Sequence, residues 1–156
     1  MTAVVADASP LIAFQQIGQL PLLQALFTTL LIPPAVTKEI APGVPSQPWI
    51  IERSLTQPIA PLVQGARLGA GETEAISLAL ELHADHLLVD DKAARRLAEG
   101  LGLNVIGTLG VLLAAKRKGL ISAVRPQVEA LLANNFRISP QLVARALAAV
   151  GEEAKP

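Results

Sequence analysis

Four short runs of the chain, residues 3–6, 30–32, 87–89 and 105–106, are apolar from end to end and rich in Val, Ile and Leu. A strand with one wet face alternates polar and apolar residues, and these do not, so they read as strands covered on both faces. Between them the apolar positions recur at helical spacing. Helices are predicted over 9–17, 20–27 and 34–41, the last with a proline at its start, and over 71–83, where Ala75, Leu78, Ala79 and Leu82 share a face. Further helices are predicted over 91–100, which ends on a glycine, and over 108–118, which is closed by Gly119. Two more, 122–134 and 139–150, open on Ser122 and Ser139 as expected N-caps. Residues 42–62 contain Pro42, Pro45, Pro48, Pro58 and Pro61 and no clear period, and are expected to form a loop or an irregular helix around Trp49 and Ile50.

Strands alternating with helices imply an α/β fold, a mostly parallel sheet with helices on both faces. The length of 156 residues suits one domain over 1–156, with the helices from about 122 onward as part of it. An apolar share of 51% excludes intrinsic disorder. There is no cysteine, so thiolate nucleophiles, disulfides and sulfur-ligated metals are excluded together. The uncharged stretch 8–37 is interrupted by four glutamines and by Pro21, Pro33 and Pro34, which points to core helices and not to a membrane span. No basic residue precedes Lys38, so a secretory signal is not expected and the cytoplasm is the expected compartment.

Charge changes the picture more than composition does. The formal net charge is zero, yet residues 1–91 hold nine acids and three bases, a net of −6, while residues 92–156 hold ten bases and four acids, a net of +6. In an open parallel sheet, ligands bind beyond the carboxyl ends of the strands. Acids dominate those positions here: Asp7 follows the first predicted strand, Asp90 and Asp91 follow the third, and Thr108 follows the fourth. Glu72 and Glu74 begin the helix before the third strand, and Glu39 sits on the helix after the second.

Each of these has an ordinary role when taken alone, as a cap, a helix-dipole partner or a solvated side chain. Gathered at one sheet edge, five or six carboxylates repel one another in a cleft of low dielectric unless a cation neutralises them. An all-oxygen site calls for Mg²⁺ or Mn²⁺, and such ions serve phosphoryl chemistry, which makes phosphodiester cleavage the natural reaction. His83 and His86 flank Asp85 without completing a metal cluster and are expected at the surface. The run Lys116-Arg117-Lys118 ends a predicted helix, where the dipole favours cations. A polyanionic substrate beside a carboxylate cluster needs a basic rim, and Lys92, Arg95 and Arg96, which follow Asp91 directly, are the expected RNA contacts. Arg95 and Arg96 lie about 100° apart on a helix, so at most one of them is expected to face the cleft with Lys92.

The ordered set Val5-Ala6-Asp7-Ala8-Ser9-Pro10-Leu11-Ile12, Ile32-Pro33-Pro34-Ala35-Val36-Thr37-Lys38-Glu39-Ile40, Leu68-Gly69-Ala70-Gly71-Glu72-Thr73-Glu74-Ala75-Ile76, Leu88-Val89-Asp90-Asp91-Lys92-Ala93-Ala94-Arg95 and Gly107-Thr108-Leu109-Gly110 resembles the PIN domain family. The likeness is to the branch of small prokaryotic proteins related to VapC toxins. It implies a Rossmann-like three-layer sandwich, a carboxylate pocket holding Mg²⁺ or Mn²⁺, and ribonuclease activity. By that resemblance Asp7, Glu39 and Asp91 match the family's acids, and the third acid is offered by both Glu72 and Glu74. With Glu74, these make the expected metal ligands; Asp90 is an auxiliary one, and Ser9 and Thr108 match hydroxyl positions that help to hold water or ligands. Many toxins of the family carry Asp where this chain has Glu at the third position. A small antitoxin partner and a homodimer or higher homo-oligomer follow as expectations from the same kinship.

Two other functions fit parts of the pattern. A phosphatase of the haloacid dehalogenase kind also places an Asp after the first strand, but it needs a second acid two residues on, where this chain has Ser9. A PIN-like fold kept as a non-catalytic interaction module is the other alternative, and metal titration separates it from an enzyme.

Overall fold

A computed structural model describes residues 3–152, so the first two and last four residues of the expected domain lie outside it. Five strands, β1 (Val4–Ala6), β2 (Leu30–Ile32), β3 (Ile50–Glu52), β4 (His86–Leu88) and β5 (Val105–Ile106), form one parallel sheet in the order β3-β2-β1-β4-β5. The helices are α1 (Ala8–Gln16), α2 (Leu20–Phe27), α3 (Pro34–Ile40), α4 (Pro61–Gln64), α5 (Ala70–Leu82), α6 (Lys92–Gly100), α7 (Thr108–Arg117), α8 (Arg125–Ala133) and α9 (Pro140–Ala149). The fold is the expected α/β, PIN-like arrangement. Val4, Val5 and Ala6 of β1, with Leu87 and Leu88 of β4, are almost wholly buried, which is why those strands carry no polar alternation. Among the described residues no helix is long and apolar enough to cross a membrane.

The structure departs from the sequence pattern at three places. The irregular proline-rich segment contains a strand: β3 pairs in parallel with β2, Leu30 opposite Ile50 and Ile32 opposite Glu52. It is a three-residue edge strand in which Ile51 is 45% exposed, and its short apolar run Trp49-Ile50-Ile51 sits directly after Pro48 in a proline-rich segment. The chain after it is held by Glu81 of α5, whose carboxylate accepts hydrogen bonds from the N–H groups of Thr56 and Gln57 and from the Thr56 hydroxyl at 2.8–2.9 Å. Next, α4 forms a single turn at the end of this segment and just past it, where no helix had been placed; the irregular helix or loop was expected around Trp49 and Ile50.

The third departure is at α8, which starts at Arg125 and leaves Ser122 outside the helix. Its first N–H groups are satisfied from a distance: Val124 and Arg125 N–H donate to the two Glu152 carboxylate oxygens at 2.7 and 3.0 Å. The same carboxylate pairs with Lys116 Nζ at 2.7 Å, and that ammonium also donates to the Val150 carbonyl at 2.9 Å. One side chain beyond α9 therefore fastens the end of α7, the start of α8 and the end of α9 together. Ser139 behaves as predicted and caps α9 by accepting from Leu142 N–H at 3.2 Å.

Partial burial pushes the Glu152 carboxyl up, but hydrogen bonds from Lys116, Val124 and Arg125 outweigh this and hold it at about 2. A depressed carboxylate contributes stability above its unfolded value of 4.5, and that contribution is lost as pH falls through the folded value. Glu152→Ala should cost about 1–3 kcal/mol at neutral pH, the range for leaving buried donors unpaired. In urea unfolding monitored by circular dichroism, its deficit against the parent should shrink as pH is lowered from 5 towards 2.

Candidate active site

The strand order reverses at β1: β2 and β3 extend to one side, β4 and β5 to the other. A crevice opens beyond the carboxyl ends of β1 and β4 at such a reversal. Asp7 stands directly after β1 with its N–H donating to the Leu88 carbonyl at 2.8 Å. Asp90 comes two residues after the end of β4.

Asp7 is 1% exposed, and its Oδ1 has no hydrogen-bond partner among the described residues. Burial raises its carboxyl to about 7; an Ala8 N–H works against the shift, while Glu72, Glu39 and Asp90 reinforce it by repulsion. Gly71, the second residue of α5, closes over this spot. A Cβ there would collide with Glu39 Oε1 and stand 3.1 Å from Asp7 Oδ1, so the backbone comes this close only as glycine. Thus α1, α3 and α5 deliver Asp7, Glu39 and Gly71 to one place.

The remaining acids divide by what occupies them. Glu72 is half-buried and in the field of Asp7, and its Oε1 accepts only a long hydrogen bond, 3.3 Å, from Gly69 N–H. Glu74, expected as a metal ligand, instead accepts from Ala35 N–H at 3.0 Å, at the start of α3. Of the two glutamates, the structure sets Glu72 against Asp7. Asp91, also expected as a ligand, is exposed and caps α6, its Oδ2 accepting from Ala94 N–H at 2.9 Å. Its neighbour Asp90 turns inward, towards Thr108. Asp90 accepts from Thr108 N–H at 2.7 Å and from Thr108 Oγ1 at 2.6 Å. Burial raises the Asp90 carboxyl, and the two Thr108 bonds and the nearby Arg95 guanidinium oppose that.

Thr108 is fully buried and serves as the first residue of α7, so the cap position falls to Gly107. Ser9 is exposed on α1, and no hydrogen bond of its side chain appears among the described residues. Lys92 and Arg95 line one cleft beside Asp90, whereas Arg96 lies outside it, in keeping with the angle between neighbouring helical positions. His86 begins β4, at the opposite end of the strand from the acids, and rests against Phe27 with ring centroids 6.4 Å apart. It is half-buried, not on the surface as expected, and its Nδ1 has no partner among the described residues.

A model of the DUF3368 family, described as a PIN domain, matches residues 3–152. The chain belongs to the PIN domain family. A PilT N-terminus domain protein from the hyperthermophilic archaeon Sulfolobus solfataricus P2 shares the fold, with a TM-score of 0.51 at 20% identity over 74% of this chain and 93% of that one. No curated protein sequence matches this chain. PIN domains are generally nucleases that use divalent metals, and this PIN domain carries acids at the corresponding sheet edge.

Among its described residues, no three acids or histidines are drawn close enough to form a finished metal cage. The donor chemistry nonetheless suits a hard cation. A buried carboxylate oxygen without a partner faces a second carboxylate across a glycine, and a third and fourth add to the repulsion. Oxygen donors of this kind match Mg²⁺ or Mn²⁺. The sequence pattern had pointed to the acids but not to Gly71; the Gly-x-Gly spacing of Gly69 and Gly71 at the head of α5 gives no hint that Gly71 meets the carboxylates of Asp7 and Glu39.

A raised acid stabilises the fold below its unfolded pKa of 3.8 and loses that contribution as pH rises to about 7. Asp7→Asn should therefore be more stable than the parent at pH 8 in EDTA, by on the order of a few kcal/mol, with no difference below pH 4. Chemical denaturation across that range reads the effect. Gly71→Ala should displace Glu39 and lower Mn²⁺ affinity at least tenfold by calorimetry, since it crowds two donors at once.

Proposed function

We propose that this PIN domain is a Mg²⁺- or Mn²⁺-dependent endoribonuclease that hydrolyses RNA phosphodiester bonds in the cytoplasm, as the toxin of a toxin–antitoxin pair. The observation that supports it most is the buried Asp7 carboxylate, whose Oδ1 has no partner among the described residues, set among Glu39, Glu72 and Asp90 where the sheet order reverses. Asp7, Glu39 and Glu72 would hold the cation, with Asp90 alongside. When bound, it supplies charge neutralisation at a phosphoryl oxygen and a more acidic water.

The protein's own groups do the rest. Asp7, raised to about 7, is about half-protonated at neutral pH while the cluster is uncompensated, and nearby positive charge would favour its ionised form. Thr108 grips both oxygens of Asp90 and fixes its plane. Glu74 and Asp91 keep the frame, one joining α5 to α3 and the other starting α6. A small antitoxin and a second copy of the chain are the partners proposed with this role.

Cleavage of a labelled RNA should require Mn²⁺ or Mg²⁺, stop in EDTA, and fall by at least about a hundredfold in Asp7→Asn, a loss of ~2.7 kcal/mol or more in transition-state stabilisation. Glu72→Gln should impair cleavage more than Glu74→Gln, while Glu74→Gln should lower thermal stability more. Cleavage that survives EDTA, or full activity in Asp7→Asn, would remove the basis for the proposal.

A further inference from the structure

A cleft of about 1000 Å³ lies between the start of α6, the outer face of α7, the 136–139 link and α9. Five cations line it: Lys92, Arg95, Arg117, Arg137 and Arg145. Among the described residues its only acid is Asp90, which belongs also to the site described above. Among the described residues no ion pair of these five appears. Arg117 alone would be an ordinary helix-end cation. Arg137 lies in a link and Arg145 in the middle of α9, so the helix dipole explains neither.

The walls between these cations are apolar. Phe136 and Ile138 are half-buried, and Leu142, on the first turns of α9, is 40% exposed. A groove with guanidinium groups along it and an aromatic ring and aliphatic side chains within it offers phosphates and base faces different surfaces at once. Duplex RNA hides its base faces by stacking, whereas an unpaired strand presents them.

We infer that this cleft is the binding track for single-stranded RNA, which leads the strand to the acid site past Asp90, with Arg117, Arg137 and Arg145 on phosphates and Phe136 under a base. The inference rests on the ribonuclease reading for its direction. Two observations favour RNA over an acidic protein segment. The cleft shares Asp90 with the acid site, and Lys92 and Arg95 line it beside that carboxylate. Four of its five cations are arginines, whose planar forks match phosphate oxygens better than an ammonium does. A carboxylate cluster repels a polyanion, so attraction has to come from beside it, and this cleft supplies it.

The test measures affinity for a short labelled single-stranded RNA in EDTA across a salt series, using the full chain. Arg117→Gln with Arg145→Gln should weaken binding at least tenfold and reduce the slope of log K against log salt by about 1.4, near 0.7 for each lost phosphate contact on a single strand. Phe136→Ala should weaken binding of the single strand by at least about fivefold and leave a duplex of the same sequence unaffected. Arg96→Gln with Lys118→Gln, outside the cleft, should keep the parent slope. Parental thermal unfolding and Mn²⁺ affinity in each variant exclude a folding defect.

Slopes equal to the parent's in the Arg117/Arg145 variant would overturn the inference. So would RNA binding insensitive to these changes together with an acidic amphipathic peptide that binds the parent and not the variant, which would make the cleft a protein dock. RNA held in the cleft but never cleaved with Mn²⁺ would support the track and defeat the ribonuclease reading. Cleavage with unchanged binding slopes would do the reverse.

Discussion

The rest of the structure depends on a carboxylate buried at the point where the sheet changes direction. Asp7 follows a strand that is covered on both faces, and its backbone is tied to the end of β4, so its side chain cannot swing out to water. In that position ionisation is unfavourable, and three neighbouring acids make it more so. A fold that keeps such a residue keeps a standing demand for positive charge at one place. The approach of Gly71 sharpens the demand, because it lets Glu39 share the same small volume.

The other acids near the site show how the chain limits that repulsion. Glu74 and Asp91 accept from N–H groups at the starts of α3 and α6, where the partial positive charge of a helix end stabilises a carboxylate. Asp90 is intermediate: both its oxygens are taken by Thr108, and Arg95 stands near. Asp7 keeps one buried oxygen without a partner among the described residues, and Glu72 accepts only a long bond from Gly69 N–H, so the repulsion is least relieved around these two.

The C-terminal helices solve a different problem. They add a basic wall beside an acidic pocket, and Glu152 holds that wall by gathering Lys116 and the start of α8. Lys116 is consumed by this fastening, while its neighbour Arg117 faces the cleft. Two adjacent cations at one helix end thus have unrelated tasks, one structural and one facing outward. The charge split along the chain becomes a boundary in space at Asp90.

Much of the frame was legible in the amino-acid order, because strands buried on both faces must be apolar throughout and acids after such strands have few structural reasons to be there. That reasoning located four strands, most helices, and Asp7, Glu39, Glu72 and Asp90 among the candidates. It did not find β3, a three-residue edge strand whose short apolar run lies among closely spaced prolines and whose pairing with β2 is decided by backbone hydrogen bonds. Nor could it tell that Glu74 and Asp91 are the carboxylates that accept from the starts of α3 and α6. They differ from Glu72 and Asp90 by one or two positions in sequence, and only the packing of α3 against α5 and of α7 against the end of β4 decides which carboxylate meets a helix N–H and which meets Asp7. Charge and hydrophobicity are properties of residues and can be read along a chain; the direction in which a carboxylate points depends on neighbours brought from far away, and that belongs to the tertiary structure alone.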